Sequence, residues 1–181
     1  MMYDPHVVYC KDYSNEITIK GWSSEDIERF FRDGRRCSPF AEQELKNTFH
    51  NIWKPEKEMK GIDLVINDCI NADVKCFTKS GCKISKSIYQ GGGRNTDATA
   101  DLLTIPKRFL FIIPTAISFP FLEFVPVFFE IAQTFLVEKE NGEYDGSIDI
   151  EKLMQYKQTL RHESMELDSW SKGLENIRRN K

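Results

Sequence analysis

Residues 60–80, KGIDLVINDCINADVKCFTKS, read as a two-stranded antiparallel hairpin, and the rest of the chain is organised around it. Ile62, Leu64 and Ile66 alternate with Asp63 and Val65, the period-two pattern of a half-buried strand over residues 61–66. Asn67, Asp68 and Asn71 supply turn chemistry. In the return strand Ala72, Val74 and Cys76 form the apolar face, which leaves Asp73, Lys75 and Phe77 on the other. A turn centred within residues 67–71 sets Asp63 across from Asp73 to Lys75, within reach of cross-strand pairing. Two carboxylates and an ammonium on an otherwise apolar sheet edge are costly unless something uses them, and a divalent cation would neutralise the carboxylate pair. Hard oxygen ligands of this kind suit Mg²⁺, which keeps waters for chemistry.

Acid-x-Lys alone is a weak pattern, since Glu44-Leu-Lys46 and Glu58-Met-Lys60 also show it. Asp73-Val-Lys75 differs from both by its context: a strand, after a turn, after a strand carrying Gly-Ile-Asp. The competing reading is an exposed polar hairpin face.

The 181 residues suffice for one domain with a single good core, and 40% apolar with 29% charged residues excludes wholesale disorder. The net charge of −3 gives no global basic signal, so a nucleic-acid partner would be gripped by a local patch. The five cysteines (Cys10, Cys37, Cys69, Cys76, Cys82) include no Cys-x-x-Cys pair and read as reduced thiols of a cytoplasmic protein rather than zinc ligands. His6, His50 and His162 stand too far apart in sequence for a zinc-protease or His-centred nuclease motif. The N-terminal MMYDPHVVYCKDYSNE lacks the pattern of a signal peptide.

In chain order, residues 1–22 read as an irregular or short-stranded lead. Ser23 or Ser24 caps a helix that runs to about residue 33, with Ile27, Phe30 and Phe31 as its apolar stripe and Gly34 ending it. Arg32, Arg35 and Arg36 cluster at its exit, either a solvated helix end or a phosphate-contacting patch. A second helix opens with Ser38 as cap and Pro39 at its first position and continues to about residue 53, with Ala41, Leu45, Phe49 and Ile52 on one face. Glu42 and Glu44 flank that face, so either is placed to lean toward the hairpin. Residues 54–60 link to the hairpin.

After the hairpin, residues 78–94 are the most basic and hydroxyl-rich stretch. Lys79, Lys83, Lys86 and Arg94, interleaved with Ser85, Ser87 and Tyr89, suit phosphate contacts, with Gln90 and Asn95 as base-edge readers; a plain surface loop is the alternative. Gly91, Gly92 and Gly93 do not make a phosphate-binding Walker loop. The apolar run 109–136 contains three prolines and two glutamates, so buried strands are expected there rather than a membrane span. The strands fall at 108–113, 124–129 and 134–138, with turns at Asn141-Gly142 and Asp145-Gly146. Residues 149–179 read as helical, in two segments at about 149–161 and 167–177.

Phe40-Ala-Glu-Gln-Glu-Leu45 on a helix, then Gly-Ile-Asp63-Leu-Val, then Ala-Asp73-Val-Lys75 resembles the PD-(D/E)xK nuclease superfamily. The nearest variant is the archaeal-type Holliday-junction resolvase, and related cores occur in type II restriction endonucleases. The resemblance covers about residues 38–80. It implies an α/β domain, 1–181, with a mixed central sheet flanked by helices, in which Glu42 is the helix carboxylate, Asp63 and Asp73 the metal ligands and Lys75 the motif lysine. Ile62 stands where the motif has proline, and Asp73 where Glu is more frequent.

What this implies is Mg²⁺-dependent hydrolysis of DNA phosphodiesters, with Mn²⁺ substituting. Asp63, Asp73 and the carbonyl of Val74 would hold the metal, Glu42 would assist through water, and Lys75 would orient the attacking water. DNA contacts would come from Lys79, Lys83, Ser85, Lys86, Tyr89, Gln90 and Arg94, with Arg35 and Arg36. Restriction-type cleavage by a homodimer is the first expectation and junction resolution the second. A non-catalytic DNA-binding or assembly subunit is the rival from another class.

Overall fold

A computed structural model describes residues 1–14, 23–55, 62–84, 109–142 and 144–165. The expected features at 15–22, 56–61, 85–108 and 167–181 lie outside these residues, including Ser85, Lys86, Tyr89, Gln90, Arg94 and Asn95. The architecture is mixed α/β. Seven strands form one sheet: β1 (Val7–Asp12), β2 (Ile52–Trp53), β3 (Leu64–Ile66), β4 (Ile70–Val74), β5 (Phe109–Thr115), β6 (Phe121–Phe128) and β9 (Arg161–Ser164), in the order β2-β3-β4-β5-β6-β1-β9. β7 (Leu136–Glu138) and β8 (Tyr144–Ile148) pair separately. The helices are α1 (Ser24–Arg32), α2 (Gly34–Thr48), the short α3 (Phe129–Ala132) and α4 (Ile150–Gln158). β4 runs parallel to β5 and β1 to β9, while the other neighbours in the large sheet are antiparallel.

The two faces of the sheet bury separate cores. On one, Leu64, Ile66, Ala72, Val74, Leu110, Ile112 and Phe124 pack with Ile27, Phe31, Ala41 and Leu45 of α1 and α2. On the other, Phe109, Phe111, Ile113, Val125 and Val127 pack with Phe129, Ala132, Phe135 and Leu153. β5 is buried at every position, which is why FLFIIPT reads as an unbroken apolar run rather than an alternating one.

Several expectations are corrected. The lead contains β1, seated between β6 and β9. Gly34 does not end α1; it opens α2, which Asp33 caps by accepting from the Arg35 N–H at 3.0 Å. Ser38 and Pro39 therefore fall inside α2. That helix stops at Thr48, so Phe49 and Ile52 are buried beyond its end. Gly146 lies within β8, and residues 161–164 leave the helix to form β9. Among the described residues no helix is long and apolar enough to cross a membrane.

The hairpin itself is tighter than expected. Asn67 and Asp68 both take left-handed φ values, 52° and 58°, which their short polar side chains tolerate. Asn71 is thereby drawn into β4, and pairing runs Ile66 with Ile70, Val65 with Asn71 and Leu64 with Ala72. Asp63, just ahead of β3, lies beyond this ladder and bonds to Ala72 and Val74 of the partner strand. Nor is β4 an edge: it bonds β3 on one side and β5 on the other, with Asp73 beside Phe111.

Candidate functional site

Of the expected residues, Glu42, Asp63, Val74 and Lys75 line a cleft of about 860 Å³ together with Arg35, Ser38 and Lys83, while Asp73 is buried and is not among its lining residues. Three elements build it. The first turns of α2 supply Arg35, Ser38 and Glu42; the segment leading into β3 supplies Asp63; β4 and its continuation supply Val74 and Lys75.

Backbone geometry fixes the acids. Asp63 N–H donates to Ala72 O at 2.9 Å, and its carboxylate Oδ2 accepts from Val74 N–H at 2.8 Å. Asp73 is only 2% exposed; Lys75 Nζ lies 3.3 Å from its Oδ1, and its Oδ2 has no hydrogen-bond partner. Burial pushes the Asp73 carboxyl well above the usual carboxylate range. Lys75 pulls it back down, and Asp63 raises it again. Burial works against the Lys75 charge, but Asp73 and then Asp63 outweigh it and raise the ammonium's pKa, so the lysine stays protonated.

Glu42 lies between exposed and buried. Burial raises its pKa and the nearby Asp63 adds to this, against a 2.8 Å ion pair with Lys54 that lowers it. In the sequence Lys54 has no assigned role and Ser38 reads as a helix cap; the Ser38 Oγ instead accepts from Cys76 N–H at 3.3 Å and ties α2 to the continuation of β4 that carries Lys75. Neither contact has a sequence signature; each is found only once α2 packs beside β4. Glu44 turns away from the cleft and binds Lys11 at 2.9 Å and Tyr13 at 3.1 Å.

Of the expected DNA contacts, exposed Arg35 and Lys83 line the cleft. Lys79 pairs with Glu28 at 3.3 Å, and Arg36 approaches Asp33 at 3.8 Å. Lys83 is positioned by a bridge to Ser147 of β8.

A buried carboxyl oxygen without a donor, beside a second carboxylate, is the arrangement that a hard cation satisfies. A proton held between Asp73 and Asp63, which raises the Asp73 pKa, satisfies the same oxygen, so the pair fits either a proton or a hard cation. Glu42 does not close on them tightly enough to join a single ion directly: among the described residues the three ligand atoms that lie within 4.8 Å of one another belong to Cys10, Glu123 and His162. Comparisons with family models, with curated proteins and with solved structures found no match.

Proposed function

We propose that the chain is a metal-dependent endonuclease of the PD-(D/E)xK kind, hydrolysing phosphodiester bonds of DNA. The observation that carries this reading is the buried Asp73 carboxyl, with no hydrogen-bond partner at Oδ2 and with Oδ1 3.3 Å from Nζ of Lys75, a residue that lines an open cleft together with Asp63 and Glu42. The order helix acid, strand acid, acid-x-Lys along the chain supports it, because those four side chains come from three elements and meet in one place.

Asp63, Asp73 and the Val74 carbonyl would hold Mg²⁺, with Mn²⁺ as a substitute. When bound, the ion supplies Lewis-acid stabilisation of charge on the phosphoryl and leaving oxygens. Lys75, held charged by the two aspartates, places an ammonium where it orients water and meets developing negative charge. Glu42, paired with Lys54, would assist through a water. Arg35 and Lys83 at the mouth offer phosphate contacts that balance the acidic floor.

The test is incubation with supercoiled plasmid in Mg²⁺, in Mn²⁺ and in EDTA, using the wild type, Glu42→Ala and Glu44→Ala. Cutting is expected with either metal and none in EDTA. Glu42→Ala should slow it by about 100-fold or more. Glu44→Ala should cut normally but lose about 1.5–3 kcal/mol of stability, the cost of a hydrogen bond to a charged group. No cutting in either metal overturns the proposal, and equal rates in the two variants remove Glu42 from the site.

A further inference from the structure

On three neighbouring strands away from the cleft, a second set of side chains converges. Cys10 of β1 and Glu123 of β6 are direct cross-strand partners. His162 of β9 pairs with Val8, two residues from Cys10 and so on the same face of the sheet. His162 Nδ1 lies 3.9 Å from Cys10 Sγ and 3.9 Å from Glu123 Oε1. All three ligand atoms fall within 4.8 Å of one another.

The outer contacts aim this set. His162 Nε2 stands 3.1 Å from the backbone carbonyl of Lys157, and a carbonyl only accepts. Nε2 is therefore the donor, and Nδ1 is the ring nitrogen that faces the sulfur and the carboxylate. The second oxygen of Glu123 is taken by Lys157 Nζ, which leaves Oε1 facing the histidine. A metal-binding histidine and carboxylate are oriented by outer partners of this type.

A Cys-His-Glu catalytic relay does not fit. In a relay the base bonds the nucleophile through one ring nitrogen and the acid through the other. Here sulfur and carboxylate converge on the same nitrogen, while the other is committed to backbone. Hydrogen bonding accounts at most for the sulfur contact, because the 3.9 Å nitrogen-to-oxygen separation exceeds that of a hydrogen bond.

We propose that Cys10, Glu123 and His162 form a zinc site that fastens the edge strand β9 to β1 and β6. Zn–S near 2.3 Å with Zn–N and Zn–O near 2.0–2.2 Å puts tetrahedral ligands about 3.6 Å (S to N) and about 3.4 Å (N to O) apart. Closing from 3.9 Å is a contraction within reach of side-chain torsions. A thiolate with an imidazole and a carboxylate selects Zn²⁺ over Mg²⁺. Three protein ligands leave a fourth position, and a pocket of about 330 Å³ bordered by Cys10, Phe121 and His162 gives a water room to occupy it.

The experiment uses the full chain, stripped with chelator and titrated with Zn²⁺ by calorimetry and with Co²⁺ by absorption. One Zn²⁺ equivalent and a thiolate-to-cobalt charge-transfer band are expected. Cys10→Ser should abolish the band, and His162→Ala should weaken binding by more than the roughly 10–100-fold that loss of an outer partner costs. Asp73→Asn and Cys69→Ser should leave both signals intact, which separates this site from the cleft and from the exposed thiol. The His162 ring is exposed, so its removal tests the site even if Cys10→Ser fails to fold. Absence of the band, its persistence in Cys10→Ser, or its loss in Cys69→Ser overturns the assignment.

Discussion

Asp73 is held where its charge is disfavoured, and the sign of that effect is testable. Its folded pKa is raised above the unfolded value, first by burial and then by Asp63. The folded chain therefore binds this proton more tightly than the unfolded one. The stability contributed is present below the ordinary aspartate range, near 3.9, and is lost as pH rises through the raised value. Metal and proton compete for the same carboxylate, so stabilisation by Mg²⁺ should grow as pH rises across that window. Asp73→Asn removes the titrating carboxyl. The metal-free variant should lose the share of the pH dependence that Asp73 contributes. The same variant should lose both the Mg²⁺-induced rise in Tm and plasmid cutting. Thermal denaturation over a pH series, with and without Mg²⁺, measures the stability effects and a plasmid digest the cutting; a variant that still gains Tm from Mg²⁺ would place the metal elsewhere.

At the level of elements, the cleft wall depends on a strand distant from the acids. Ile84 N–H donates to Gly146 O and Ile148 N–H to Cys82 O, which pins the segment carrying Lys83 against β8. Gly146 has φ of 80°, so Gly146→Ala should cost about 1–2 kcal/mol, read as a shift in the midpoint of urea unfolding. An unchanged midpoint would mean that β8 relaxes without strain. The same contrast between local and distant pairing explains what could be read from the chain. The hairpin and α1 were legible because alternation and capping act over a few residues: Ser23 accepts from Asp26 N–H as its position suggested. Alternation set Asp63 across from residues 73–75, and its carboxylate accepts from Val74 N–H there; the two left-handed turn residues that shorten the loop carry no such period. β9, the tetrapeptide Arg-His-Glu-Ser, has no apolar period and is a strand only because β1 offers it a parallel partner. The Cys10 and His162 pairing, 152 residues apart, has no spacing signature at all.

For the whole molecule, charge and symmetry bear on the proposed substrate. A nuclease that binds four-way junctions by shape needs a broad basic surface to meet several duplex arms, because phosphate neutralisation supplies most sequence-independent affinity. This chain carries a net charge of −3, and Arg35 and Lys83 are the two basic side chains beside Lys75 among the residues lining the cleft. Such a surface suits local engagement of one duplex, with specificity drawn from base edges in a groove. One site per chain cuts one strand, and double-strand cleavage is most simply achieved by two copies related by a two-fold axis. We therefore expect sequence-selective cutting of linear duplex by a dimer, with a rate that falls steeply with added salt. Digestion of a long linear duplex beside a synthetic four-way junction decides between substrates, and sedimentation of the protein on a short duplex decides the stoichiometry. Discrete bands from the duplex and two chains per DNA support the expectation. Paired symmetric nicks in the junction, with the linear duplex untouched, would instead make resolution of branched DNA the activity.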